Sequence, residues 1–179
     1  RGTETIGGIS VADLRVIPKA TILLPEEANG LGIAFALPLY LPTGDTQNFR
    51  SDGAIRLEPR LIVDWRHSSG FLIAGNLGYQ LRPEKRVLNV VLDDAVRWNV
   101  GTTIPLGLEW LRFVGSVFGN IATSSDVDPI SLMEREESSA QPIEALGGLE
   151  VDLPADLVLS LGGGGGLNGG LGAPQWRVF

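Results

Sequence analysis

The sequence predicts an all-β fold: an antiparallel up-and-down transmembrane β-barrel of about ten strands, nine of them visible. Three observations lead there. Apolar residues recur at every second position through nine segments, the period of a strand whose two faces differ. Long or charged connections mostly alternate with short ones, as in outer-membrane barrels with tight periplasmic turns and larger external loops. No window of about 18 apolar residues free of charge exists, so a transmembrane helix is excluded. Barrel strands of about 10 alternating residues are not excluded.

The elements follow in chain order. In Val11–Leu24, Leu14, Val16, Pro18, Ala20 and Ile22 oppose Arg15, Lys19 and Thr21. In Leu31–Thr43, the large Leu31, Ile33, Phe35, Leu37, Leu39 and Leu41 oppose mostly small residues. Ala54–Arg66 is the clearest segment. Ile55, Leu57, Pro59, Leu61, Val63 and Trp65 share one face, and Arg56, Glu58, Arg60, Asp64 and Arg66 crowd the other. A helix would smear both sets around its surface. Phe71–Arg82 sets Phe71, Ile73, Leu77, Tyr79 and Leu81 against Asn76, Gly78, Gln80 and Arg82. Val87–Leu106, read as one strand, sets Leu88 to Ile104 against Asn89, Asp93, Arg97 and Asn99, with Asp94 the one charge on the apolar face. Glu109–Ala122 carries Arg112 opposite Leu111 and Phe113. Ile143–Leu153 carries Glu144, Glu150 and Asp152 opposite Leu149 and Val151. Asp156–Gly164 and the short Pro174–Phe179 close the series.

Composition narrows the function classes. The chain has 179 residues, 24 Gly, 11 Pro and no Cys. One domain over 1–179 suits that length. Glycine stands at about twice its usual share, yet normal apolar content argues against disorder. The formal charge of −7 without a basic cluster argues against nucleic acid as partner. The absence of Cys removes thiol catalysis, Cys-based zinc sites and iron–sulfur clusters. Trp65 and Phe71 flank a short turn and Trp110 follows another, as an interfacial aromatic girdle would place them.

With short turns on the periplasmic side, nine strands start outside, whereas a closed bacterial barrel has an even number with both ends periplasmic. Either Gly2–Ser10 adds a strand or upstream strands are missing; the reading favours a piece of a barrel of ten or more strands. Phe179 reads either as the terminal aromatic of a barrel assembly signal or as the end of a strand cut short.

Several runs carry a family resemblance. They are Ala12-Asp13-Leu14-Arg15-Val16-Ile17-Pro18-Lys19, Leu41-Pro42-Thr43-Gly44-Asp45, Glu58-Pro59-Arg60-Leu61-Ile62-Val63-Asp64-Trp65-Arg66, Leu77-Gly78-Tyr79 and Gly172-Ala173-Pro174-Gln175-Trp176-Arg177-Val178-Phe179. Together they resemble the N-terminal barrel of myxobacterial OmpA-family outer-membrane proteins. They are also similar to the transporter barrels of the meta-pathway phenol-degradation family. The likeness spans most of residues 10–179 and rests on short, degenerate motifs. It implies a bacterial outer-membrane location, outer-membrane lipid and the barrel assembly machinery as partners, and no catalytic residues. It also implies a strand pair before the Asp13-Leu14-Arg15 strand.

The expected site is therefore a lumen. Its lining comprises Arg15, Lys19, Arg56, Glu58, Arg60, Asp64, Arg66, Arg82, Asp93, Arg97, Arg112, Glu144, Glu150 and Asp152. The lipid-facing set comprises Ile33, Phe35, Leu37, Leu39, Ile55, Leu57, Leu61, Val63 and Trp65. Enclosed charges must pair as a plug, or line a water-filled pore and bias the passage of small solutes. If a pore is open, the arginines of Ala54–Arg66 favour anions. Other chemistry is thinner. His67 beside Ser68 and Ser69 in one turn does not make a triad, so no enzyme is expected. Gly162–Gly166 lacks the Lys-Ser/Thr of a phosphate loop. Asp126, Asp128, Glu134, Glu136 and Glu137 read as a solvated acidic loop rather than a metal site. No cofactor is implied. The rival reading is a soluble, secreted β-barrel binding a ligand in its interior.

Overall fold

A computed structural model describes residues 11–46, 51, 53–87, 90–123, 141–168 and 174–179. Among the described residues fourteen strands form. They are β1 (Leu14–Val16), β2 (Lys19–Leu23), β3 (Leu31–Ala36), β4 (Leu39–Leu41), β5 (Arg56–Leu57), β6 (Arg60–Arg66), β7 (Leu72–Gln80), β8 (Lys85–Val87), β9 (Val90–Leu92), β10 (Ala95–Leu108), β11 (Leu111–Ala122), β12 (Ile143–Leu153), β13 (Leu157–Gly166) and β14 (Arg177–Val178). Among the described residues the only helical turn is a 3-10 turn, Pro25–Glu27. Among the described residues no helix is long and apolar enough to cross a membrane.

Nine strands form one sheet in the order β14-β13-β12-β11-β10-β7-β6-β3-β2, and each of its ladders is antiparallel. Neighbours in space are thus neighbours in sequence, an up-and-down meander. Among the described residues no ladder joins β2 to β14, so the sheet runs from one open edge to the other.

A smaller sheet, β1-β4-β5, continues three of these strands past a break. The register is unchanged across it: Lys19 faces Ala36 on one side and Val16 faces Leu39 on the other. The sequence supplies the cause. Pro18, Pro38 and Pro59 each sit between two pieces of one strand, and proline has no N–H to give its ladder. Each keeps the bond its carbonyl accepts. Leu37 N–H donates to Pro18 O at 3.0 Å, Glu58 N–H to Pro38 O at 2.9 Å and Tyr79 N–H to Pro59 O at 3.1 Å. Three adjacent ladders therefore share one seam of half-made pairs.

The loops sort by end. At one end β2–β3, β6–β7, β10–β11 and β12–β13 connect through compact turns. Positive φ at Gly30 (93°), Gly70 (85°), Gly107 (82°), Ala155 (66°) and Asp156 (57°) marks them as tight. The other end carries the longer connections. One of these corrects an expectation. The segment Val87–Leu106 is not one strand, because β8 and β9 pair as their own hairpin and the chain re-enters the sheet only at Ala95. The Asp93–Asp94 pair ends the excursion, since Asp is disfavoured inside strands. Asp94 accepts hydrogen bonds from Arg82 N–H at 2.9 Å and the Tyr79 hydroxyl at 3.1 Å instead.

Burial is inverted relative to an ordinary core. Among the described residues the buried apolar side chains are Ala34, Ala36 and Pro38, all small, while Glu58 is fully buried. Leu77 is 57% exposed and Leu161 73% exposed, and Phe35, Leu61, Trp65 and Val100 are exposed as well.

Candidate functional site

Residues in direct register across an antiparallel ladder share a side of the sheet, so the ladder rows sort the charges by face. One row reads Lys19, Ala36, Arg60, Gly78, Arg97 and Asn120 from β2 to β11. Two residues nearer the compact turns, Asn76, Asn99, Phe118 and Glu144 align. Next come Gly32, Asp64, Ala74, Gly101, Ser116, Leu146, Gly164 and Arg177, which reach β14. Arg66 lies two residues beyond Asp64 on the same strand, and Arg112 pairs with Glu150. Asp152 follows Glu150 by alternation. Beyond the proline seam Arg15, Tyr40 and Arg56 share a row. Arg82 and Asp93 lie two residues past Gln80 and Ala95, the last in-register pair of β7 and β10.

The structure thus brings the expected polar set onto one face. The expected apolar set takes the other: Phe35, Leu61 and Leu77 share one row, Ile33 and Val63 a second, and Trp65 and Ile73 a third. Leu39 and Leu57 pair beyond the seam. Leu37, opposite Pro18, belongs to this face by alternation, and Ile55 is exposed.

Ion pairs organise the polar face. Glu58 is their centre. Its carboxylate accepts from Arg60 Nη2, from Arg97 Nη1 at 3.2 Å and from the Tyr40 hydroxyl at 3.5 Å. The reach from Glu58 to Arg97 crosses β7 at Gly78, where a Cβ would come within 3.3 Å of Glu58 Oε1. Glycine there keeps the crossing open. The same device recurs at the chain end, where Arg177 Nη2 meets Glu144 Oε2 at 2.7 Å across the glycine run of β13. At Gly164 a Cβ would stand 2.0 Å from Ala145 O, so the strands themselves exclude a side chain. Glycine's meaning in Gly162–Gly166 is therefore close backbone approach within a strand.

Toward the compact turns the ratio of charges reverses. Arg112 donates to Glu150 Oε2 at 2.9 Å and to both Asp152 oxygens at 2.8 and 2.6 Å. Arg66 Nε meets Asp64 Oδ2 at 3.1 Å. Beyond the seam, Arg56 meets Asp13 at 3.4 Å and stacks 4.6 Å from the Tyr40 ring centroid, with Arg15 at 5.9 Å. Burial works to raise the Asp13 carboxyl, but hydrogen bonds from Ser51, the Gly44 N–H and Arg56 prevail and hold it below its ordinary value of 3.8.

Tyr40, Asp13 and Ser51 are the functional side chains that the sequence reading left out of the site. Period 2 puts Asp13 on the face of Arg15 and Tyr40 on the face of Ala36, but the expected lining includes neither. Nothing in the pattern marks Ser51, which comes in from a loop. His67 Nδ1 lies 2.8 Å from Ser69 Oγ and accepts the Ser69 N–H at 3.2 Å, so it caps its own turn. Among the described residues no group of His, Asp and Glu could hold a metal ion. Asp126, Asp128, Glu134, Glu136 and Glu137 lie outside the described residues. No known protein family, no curated protein and no solved structure matches the chain.

Proposed function

We propose that this chain forms the wall of a bacterial outer-membrane β-barrel, closed around its charged face, and acts as a structural anchor or small porin. The observation that carries this reading is the inverted burial: large apolar side chains stand exposed, while Glu58, Gln80 and Glu144 of the polar face are buried. A contiguous apolar surface of this extent is a liability in water and a requirement in lipid. An open sheet edge is not tolerated in hydrocarbon, so the barrel reading requires that β2 and β14 be joined directly or through further strands.

Dimensions support it. The 14 residues of β10 extend roughly 46 Å, or about 35 Å along the membrane normal at a tilt near 40°. A hydrocarbon core of about 30 Å fits inside that span. Trp65, Phe71 and Trp110 lie near the compact turns, and Tyr79 lies toward the other end, as two girdles would. Outer-membrane lipid is then the solvent of the apolar face, and the barrel assembly machinery inserts it.

A soluble barrel with a ligand inside needs an enclosed apolar surface, whereas here the large apolar side chains are exposed and the buried side chains include Glu58 and Glu144. Refolding into detergent and into liposomes tests the choice. The barrel should require lipid or detergent, resist protease there and change gel mobility on boiling. A monodisperse protein in plain buffer whose mobility ignores boiling overturns the reading. Conductance in planar bilayers then separates porin from anchor.

A further inference from the structure

Ion pairing divides the polar face unevenly, and the division has a functional reading that rests on the barrel just proposed. Near the compact turns one guanidinium, Arg112, is met by two carboxylates, Glu150 and Asp152. On the row nearest the proline seam the ratio is the other way round. Lys19, Arg60 and Arg97 stand on every second strand of one ladder row, separated by Ala36 and Gly78. At about 4.8 Å per strand they recur roughly every 10 Å around the wall. Ala36 and Gly78 between them are small and buried, and the Glu58 carboxylate lies over Gly78.

Their counter-charge is short. Glu58 alone meets both Arg60 and Arg97. Lys19 is exposed and makes no ion pair among the described residues. Arg60 Nε is a buried donor with no hydrogen-bond partner among them. By contrast, Arg56, which sequence alone marks as a selectivity residue, is engaged by Asp13 and by the Tyr40 ring.

We propose that the Lys19–Arg60–Arg97 row is an anion track along the lumen wall, which passes small anions in preference to cations, with Glu58 as its one built-in counter-charge. The track offers monodentate ammonium and fork-shaped guanidinium donors in succession, suited to halide, carboxylate or phosphate groups. Glu58 occupies part of that donor capacity and limits the selectivity. Because strands of a barrel are tilted, the row winds along the wall instead of closing as a flat ring.

The test is the reversal potential of the refolded protein in planar bilayers under a potassium chloride gradient. Wild type should prefer chloride. Lys19→Gln, Arg60→Gln and Arg97→Gln should each lower the chloride-to-potassium permeability ratio, by about fivefold for a charge met near contact distance. Glu58→Gln, which keeps the side-chain shape, should raise it. Lys19 is an exposed side chain with no ion pair among the described residues, so the folding of Lys19→Gln is not in question and its result stands alone. An unchanged ratio in Lys19→Gln and Glu58→Gln, a cation-preferring wild type, or an inserted barrel that passes no ions overturns the track. Boiling-dependent gel mobility of the same preparations reports on the barrel itself, so its failure is told apart from failure of the track.

Discussion

Glu58 shows what a single enclosed carboxylate does in this wall. It is fully buried and holds two arginines that belong to strands on either side of β7. Removing one partner of a buried charge set leaves the others desolvated and uncompensated, which costs about 3–5 kcal/mol. Glu58→Ala should therefore lower the temperature at which the gel mobility shift occurs well below that of Glu58→Gln, which retains acceptor oxygen for Arg60 and Arg97. Equal transition temperatures for the two variants would remove Glu58 from this role. Asp13 gives a prediction in pH. Its folded-state value lies below 3.8, so its contribution is full above about pH 4 and is lost as pH falls through the folded value. Asp13 precedes β1 and ties it to the long loop through Gly44 and Ser51. Cleavage of that loop by an acid-active protease should rise as the pH drops below 4, and Asp13→Asn should cleave at one rate across that range. The charged rows were legible in sequence because Arg and Glu alternate with Leu and Val through Ala54–Arg66. The partners were not, because which carboxylate meets which guanidinium depends on ladder register and on Gly78 standing between them.

At the scale of elements the proline seam is the least expected feature. Pro18, Pro38 and Pro59 are each visible in sequence inside an alternating segment, where proline usually marks an edge or a bulge. Only the register reveals that they fall on three neighbouring ladders, each losing one donor. β1, β4 and β5 beyond the seam hold three, three and two residues, and their outer connection to β7 is the single Leu57–Leu81 bridge. Amide exchange should follow this division. The amides of β6, β7 and β10 below the seam should exchange at the slow, global rate, and those of β1, β4 and β5 through faster local opening. Uniform protection across Pro38 would mean that the half-made pairs carry no mechanical weight. The β8–β9 hairpin shows the opposite limit of legibility. Apolar alternation continues through Val87–Leu92, so period alone could not distinguish one long strand from a strand that turns back on itself.

For the whole molecule, alternation and loop lengths sufficed to anticipate an antiparallel meander of nine strands with its compact turns at one end. Closure was not legible, because it depends on what pairs with β2 and β14, and among the described residues nothing does. The two readings of the molecule make opposite demands on the apolar face, and one position separates them. Leu77 lies in the middle of that face, in the row with Phe35, Leu61 and Trp98, and is 57% exposed. In a membrane, arginine on the lipid face near the midplane costs about 2–4 kcal/mol, because the charge must leave water or drag it in. In a soluble protein the same change at an exposed site falls within about 0.5 kcal/mol and reduces an apolar patch. Leu77→Arg should therefore slow insertion into liposomes and lower the urea concentration at which the inserted protein unfolds. Asn76→Arg, the adjacent residue on the opposite face, should insert nearly as wild type if that face is the inside of a barrel, where its charge would meet water. Indifference of insertion to Leu77→Arg, or a larger loss from Asn76→Arg, would reverse the assignment of inside and outside on which the anchor, the porin and the anion track all depend.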